Sequence, residues 1–252
     1  MTKIIIYGAF GRMGKALLQS LSSEKNLELL ASLGSQEKID SFLLKADVVI
    51  DFTAPEATEE LLGKCVEAQK ALLIGTTGHS NEMRKKIENA STRIPLMFSP
   101  NYSIGVNTLF WLTKKAIEIL GATYDAEILE LHHRFKEDAP SGTARHLAEI
   151  IARARGLEYE SEARHGRYGL PGQRTSSEIG IHAIRAGDCI GEHTVLLGSL
   201  GERLELTYRA SSREAYAKGA LRAAAWLHGQ PSGYYDMEDV LGFKNRSDLS
   251  EK

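Results

Sequence analysis

Residues 3–14 read KIIIYGAFGRMG. Ile4-Ile5-Ile6-Tyr7 is a short, continuous apolar run rich in β-branched residues, the composition of a strand covered on both faces. It passes straight into Gly8-Ala9-Phe10-Gly11-Arg12-Met13-Gly14, after which residues 15–21 take a helical pattern. Strand, glycine turn and helix, in that order, is the context a dinucleotide-binding loop requires. Glycines permit a tight turn and close approach to a pyrophosphate, and a helix start offers N–H groups and a favourable dipole. The spacing is GxxGxxG rather than the commoner GxGxxG. A purely structural strand-to-helix turn also fits, but placement directly after a buried strand favours the cofactor reading.

Working outward, residues 27–33 (LELLASL), 46–52 (ADVVIDF), 70–74 (KALLI) and 94–99 (IPLMFS) read as further strands. Helical patterns alternate with them, which predicts an α/β, Rossmann-type doubly wound parallel sheet. Thr53 is the expected cap of the helix that follows the third strand, with Pro55 in its first turn. Ligands of such sheets lie at the carboxyl ends of the strands. The polar ends Gly75-Thr76-Thr77-Gly78 and Pro100-Asn101-Tyr102-Ser103 therefore belong with the glycine loop. An acid about 20 residues beyond the glycines would bond the ribose of NAD. Here the second strand ends in Gly34-Ser35-Gln36, with no carboxylate before Glu37, and Arg12 and Lys38 are candidates for a 2′-phosphate. This tilts the cofactor expectation, NADPH or NADH, slightly towards NADPH.

The 252 residues suffice for one large domain or two modest ones. With 31 Lys and Arg against 33 Asp and Glu, the net charge of −2 supplies no broad basic face for nucleic acid or an anionic membrane. Cys65 and Cys189 form no CxxC pattern, so neither a metal site nor a disulfide framework is expected. The first apolar run begins at Ile4 with no signal-peptide pattern before it, and a cytoplasmic protein is expected.

The pattern changes after Val106. Residues 107–120 read as an amphipathic helix. Residues 127–144 (EILELHHRFKEDAPSGTA) read as strand, polar loop and helix start, with the helical pattern continuing over 143–155. His132, His133 and Lys136 crowd together before Pro140-Ser141-Gly142-Thr143. Two imidazoles and an ammonium ahead of a helix N-terminus suit an anion that must be protonated; a solvated polar loop is the plainer alternative. Residues 156–173 are rich in glycine and charge and are expected to form a mobile loop. Arg164, Arg167 and Arg174 there could reach an anion, with a solvated face as the default. Residues 179–185, 193–199 and 202–210 read as an antiparallel-looking sheet whose polar face could meet another subunit, and His182 and His193 within it read as structural. Ser211-Ser212-Arg213-Glu214 looks like a capping box ahead of an alanine-rich helix, 215–228, that packs back on the first domain. The tail 233–243 finishes the chain, and 245–252 is expected to fray.

Over nearly its whole length the sequence resembles the 4-hydroxy-tetrahydrodipicolinate (dihydrodipicolinate) reductase family. The resemblance is carried by GAFGRMG (8–14), DFTAPEAT (51–58), GTTG (75–78), PNYSIGVN (100–107), ELHHRFKEDAPSGTA (130–144), IRAGDCIGEHTV (184–195) and YDMEDVL (235–241). The histidine–lysine stretch is its specific part. One departure is Gly34, where many members carry an acid, and the segment after it is short.

The resemblance implies hydride transfer from NAD(P)H to a small cyclic imine dicarboxylate with loss of water, in lysine biosynthesis through diaminopimelate. It implies His132 as proton donor and acceptor and Lys136 as proton donor. His133, Ser141, Gly142 and Thr143 would contact substrate carboxylates. Gly8, Ala9, Phe10, Gly11, Arg12, Met13, Gly75, Thr76, Thr77, Ser99, Pro100, Asn101 and Tyr102 would line the cofactor. A dinucleotide-binding domain of 1–105 and 213–252 and a substrate-binding and oligomerisation domain of 106–212 are expected. The domains would close about hinges near 103–106 and 210–213, in a homotetramer built through the central sheet. Other readings are another small NAD(P)H oxidoreductase and a non-catalytic dinucleotide-binding sensor.

Overall fold

The computed structural model describes residues 1–244, so the tail 245–252 lies outside the described residues. The backbone falls into two compact units, Met1–Ile104 with the chain from Arg213 onward, and Gly105–Ser212. The first opens with β1 (Thr2–Tyr7), α1 (Arg12–Leu21), β2 (Leu27–Leu33) and the one-turn α2 (Asp40–Leu43). Then come β3 (Val48–Asp51), α3 (Pro55–Glu67), β4 (Ala71–Ile74), α4 (Asn81–Ser91) and β5 (Pro95–Phe98). α5 (Ile104–Leu120) leads into the second unit, which continues with β6 (Asp125–His132), α6 (Gly142–Ala154), α7 (Tyr159–Glu162) and β7 (Ala163–His165). β8 (Ile179–Arg185), β9 (Glu192–Ser199) and β10 (Glu202–Arg209) complete it. The chain returns to the first unit as α8 (Glu214–Leu227), β11 (Gly233–Tyr235) and α9 (Met237–Leu241).

The first unit is the Rossmann-type sheet expected from the sequence: parallel strands in the order β11-β5-β4-β3-β1-β2. Its apolar runs are continuous because both faces are covered. Ile4 and Ile6 pack with Leu17 of α1 and with Ala220, Leu221 and Ala224 of α8. Ile5 and Tyr7 pack on the other side with Leu61, Leu62 and Ile87 of α3 and α4. Full burial of each such Ile or Leu contributes about 1.5–3 kcal/mol. A Cβ on Gly219 would fall 1.8 Å from the Tyr102 carbonyl oxygen, so this glycine lets α8 lie against the segment after β5. The strand order turns between β1 and β3, because β1 leads outward to β2 while the chain crosses back to β3. That switch point is where doubly wound sheets open a crevice for a ligand.

The second unit has a mixed sheet, β10-β9-β6-β8-β7, rather than the antiparallel one expected. β6 runs antiparallel to β9 but parallel to β8, because the connection from β6 travels through α6 and a helical crossover returns the chain in the same direction. Alternation along β6 sends Ile128, Glu130 and His132 inward, where Ile128 packs with Leu147, Ile151 and Val195. Leu129 points the other way and is exposed, as is Ile184 of β8.

Several local expectations are corrected. The N-cap of α3 is Ala54, not Thr53, because the Thr53 hydroxyl donates to Asp51 Oδ1 at 2.6 Å. α8 starts from Arg213 in helical geometry without a side-chain cap; the capping box belongs to Asp236 and Asp239 of α9. The 156–173 segment is not plain loop. It holds α7 and β7, and β7 pairs in parallel with β8. The tail supplies β11, a further parallel strand beside β5.

Candidate active site

The three glycines of the first loop differ in what surrounds them. Gly8 has a φ of +90°, and a Cβ there would lie 2.3 Å from the Phe52 carbonyl oxygen at the end of β3. A Cβ on Gly14 would lie 2.3 Å from the Gly8 carbonyl oxygen, so α1 packs on the turn itself. Gly11 is exposed, and a Cβ there would meet only Gly8 O, at 3.4 Å. The outer glycines thus shape the turn, and the middle one leaves an open backbone surface of the kind a pyrophosphate approaches. The N–H groups of Gly8 and Ala9 both donate to Leu33 O, at 2.8 and 2.9 Å, and Ala9 is fully buried. Arg12 and Met13 take the first two positions of α1, where N–H groups have no intrahelical acceptor. Phe10 is 61% exposed. The loop therefore fits a dinucleotide through Phe10–Met13 more than through Gly8 and Ala9.

The neighbouring strand ends are tied to this loop. Asp51 is buried and accepts hydrogen bonds from the Thr53 N–H at 3.0 Å, the Thr53 hydroxyl and the Thr58 hydroxyl, the latter two at 2.6 Å. Burial raises its pKa against the pull of these donors. The Thr53 N–H also donates to Thr76 Oγ1 at 2.9 Å, joining the ends of β3 and β4. Gly75 has room only for hydrogen, since a Cβ would fall 2.2 Å from the Phe52 ring. Tyr102 is buried, donates to Ile74 O at 2.8 Å and meets Phe52 edge-on, while Ser99 donates to Asn101 O at 2.8 Å. Thr77 and Pro100 are exposed. At the end of β2, Glu37 Oε2 accepts the Gly34 N–H at 2.6 Å. Lys38 is exposed on the same loop, and Arg12 on the loop after β1.

In the second unit the 127–144 stretch is ordered around one carboxylate. Glu130 is 1% exposed. It accepts from Arg185 Nη1 and Nη2, each at 2.8 Å, from the Ser141 N–H at 3.0 Å, and from His132 Nδ1. Burial alone would raise its pKa, but the His132, Arg185 and Ser141 donors hold it down at about 2. The carboxylate is therefore ionised and can only accept, so His132 Nδ1 carries a proton and Nε2 is the nitrogen left for exchange. Gly191 passes that side of the ring, where a Cβ would lie 3.0 Å from Nε2.

Ser141 is the N-cap of α6, its Oγ accepting from the Ala144 N–H at 3.3 Å. Gly142 and Thr143 are the first two helical residues, placed where backbone N–H groups face incoming negative charge. Gly142 is exposed, with nothing within 4 Å of where its Cβ would be. His133 is half-buried, and its Nδ1 has no hydrogen-bond partner among the described residues. Lys136 is not placed on an imidazole; its Nζ pairs with Asp138 Oδ1 at 2.7 Å.

His193, read from the sequence as structural, is brought beside the candidate site. Its buried ring meets His132 edge-on at 5.1 Å, and its Nε2 lies 3.2 Å from Ser141 Oγ. Burial first, then the neighbouring His132, lower its pKa to about 4, with Lys136 acting in the same sense against Glu130. Only register could have found it: β6 pairs Glu130 with His193 of β9. His182, by contrast, bonds Glu127 on the opposite face, at 2.7 Å. The arginines of the 156–174 segment have internal partners. Arg167 holds Glu127 and Glu178, Arg174 holds Glu127 and Asp125, and Arg164 lies 3.6 Å from Glu178. Burial would raise the Glu127 pKa, but these guanidiniums and His182 hold it at about 2.

Comparison with known proteins covers both units. The model of the dihydrodipicolinate reductase N-terminus matches residues 2–102, and that of its C-terminus matches residues 105–241. A 4-hydroxy-tetrahydrodipicolinate reductase of Akkermansia muciniphila is 48% identical over 242 residues, covering 96% of this chain and 98% of its own. One from Hahella chejuensis is 43% identical over 267 residues, covering 97% of this chain and 100% of its own. Among solved structures, a dipicolinate-bound dihydrodipicolinate reductase from Paenisporosarcina sp. TG-14 has the same fold, with a TM-score of 0.76, 22% identity and coverage of 94% of this chain and 97% of its own. Matched along nearly its full length by both family models and by named members, the chain belongs to the dihydrodipicolinate reductase family.

Proposed function

We propose that the 127–144 stretch binds a cyclic imine dicarboxylate and protonates it, with His132 and Lys136 as the proton-bearing groups. As a member of its family the chain is an NAD(P)H-dependent enzyme. It reduces 4-hydroxy-tetrahydrodipicolinate to tetrahydrodipicolinate, with loss of water, in lysine biosynthesis through diaminopimelate. The dinucleotide supplies the hydride when bound. The observation that carries the role assignment is that Glu130 accepts from both His132 Nδ1 and the Ser141 N–H, so acid and helix start are set by one side chain.

Each residue then has a stated task. His132, fixed through Nδ1, presents Nε2 for proton exchange as electron density builds on the reduced ring. Gly142 and Thr143 offer backbone N–H groups to one carboxylate, and His133 adds a ring nitrogen. Lys136 leaves Asp138 for a substrate group, either as counter-charge or as second acid. In the first unit, Phe10–Met13 would hold the pyrophosphate, and Gly75–Thr77 with Ser99–Tyr102 would line the rest of the dinucleotide at the strand ends. The absence of an acid at Gly34, the tie of Glu37 to the Gly34 N–H, and the exposed Arg12 and Lys38 favour NADPH over NADH. The face of the second sheet that bears Leu129 and Ile184 is the surface we assign to a homotetramer contact.

Gly142→Pro tests the carboxylate assignment. Proline at the first helical position keeps the helix but removes one N–H. The relative from Paenisporosarcina binds dipicolinate, a planar dicarboxylate. Calorimetric titration with dipicolinate should show affinity weakened by about tenfold, one lost charge-assisted hydrogen bond, with the melting temperature held. Unchanged affinity would remove Gly142 from the substrate site.

A further inference from the structure

The roles above rest on Glu130, whose own side chain is completely buried and touches no substrate group named there. A carboxylate in that position is costly unless every lone pair is used. Here each oxygen is shared. Oε2 accepts from His132 Nδ1 and Arg185 Nη1, and Oε1 accepts from the Ser141 N–H and Arg185 Nη2. Arg185 reaches further, donating from Nη2 to the Asp138 carbonyl at 2.7 Å, and Asp138 is the residue that holds Lys136. A bridge between strands alone would need only the Arg185 fork. The contacts to His132 and to the helix start add nothing to β6–β8 pairing, which the backbone ladder already provides.

We infer that Glu130 is a positioning residue of the reaction: one carboxylate fixes the tautomer of His132 and holds it in register with the helix start that receives the substrate. The inference rests on the 127–144 stretch being the acid half of the reduction. The charged and titratable groups around the carboxylate are His132 on β6, Arg185 on β8, His193 on β9, and Lys136 and Asp138 on the loop, with the Ser141 N–H at α6. Glu130 and Arg185 therefore pull on His132 in opposite senses. The anion favours the proton-bearing ring, and the guanidinium competes for the anion.

Glu130→Gln keeps the shape and removes the charge. It should lower kcat by about 10²-fold, the lower part of what a positioned general acid contributes, while leaving dinucleotide affinity unchanged. The alkaline limb of the kcat/KM profile should move to lower pH. Arg185→Gln should move the same limb to higher pH, an opposite sign that a merely structural pair would not give. A readout independent of turnover is the proton NMR signal of the His132 Nδ1–H, assigned by its loss in His132→Gln. In the wild type it should lie downfield, as a charge-assisted bond requires, and in Glu130→Gln it should move upfield. An unmoved signal in Glu130→Gln, or equal pH profiles in the wild type and both variants, overturns the positioning role. If Glu130→Gln does not fold, Arg185→Gln decides alone: an upward shift supports the role, and no shift or a downward one overturns it. If the imine dicarboxylate is not turned over, the NMR signal still reads the positioning, so the two failures are distinguishable.

Discussion

Ser141 Oγ lies 3.2 Å from His193 Nε2, so the cap of α6 is joined to strand β9 at the point where the His193 ring meets His132. Only one of the two neighbouring imidazoles has a carboxylate, and His193 is kept neutral beside it.

That asymmetry predicts two separate losses of stability in acid. His193 is lowered from 6.5 to about 4, so its contribution is present above pH 6.5 and disappears as pH falls through 4. Glu127 and Glu130 are lowered from 4.5 to about 2, so theirs are present above pH 4.5 and disappear as pH falls through 2. Each of these groups contributes at most on the order of 3 kcal/mol to its window. Thermal melts across pH should show His193→Gln flattening the upper window only, and Glu127→Gln reducing the lower one. A flat upper window in the wild type would contradict the burial argument.

The glycine loop predicts opposite outcomes for two similar substitutions. Gly8→Ala places a methyl group 2.3 Å from Phe52 O at positive φ and should cost about 2 kcal/mol or more. Gly11→Ala meets only Gly8 O at 3.4 Å; it should leave stability within about 1 kcal/mol but weaken dinucleotide binding about tenfold. Melting temperature and quenching of nicotinamide fluorescence separate the two.

His132→Ala and Lys136→Ala should each lower kcat by about 10²–10⁴-fold, the usual contribution of a positioned acid. Dinucleotide affinity should be unchanged in both. Near wild-type turnover in either variant would remove that residue from the acid role.

For the cofactor, kcat/KM should be higher with NADPH than with NADH, and Lys38→Ala or Arg12→Ala should narrow the gap. Equal values for the two dinucleotides would cancel the preference drawn from Gly34.

Much of the fold was legible in local pattern. Ile4–Ile6 announced a strand covered on both faces, and the glycines after it announced a switch-point loop, because both properties depend on neighbours in sequence. Of the candidate site, the cluster was legible where its residues are contiguous, from His132 to the helix start at Ser141–Thr143. It was not legible where strand pairing across long separations decides, as with His193 and Arg185, which reach Glu130 only through β6–β9 and β6–β8 register. The arginines of 156–174 were misread for the same reason. Their partners, Glu127, Asp125 and Glu178, include two on a strand roughly forty residues earlier, so a charged loop in sequence is a clamped segment in space.

The most direct test of the proposed role is turnover itself. The condensation product of pyruvate and aspartate semialdehyde is supplied to the wild type, and loss of near-ultraviolet absorbance is followed separately for NADPH and NADH. Oxidation of the reduced dinucleotide that depends on the imine dicarboxylate, and that falls away in His132→Ala, is the expected result. Oxidation of neither dinucleotide, or oxidation equally fast in His132→Ala, would contradict the account.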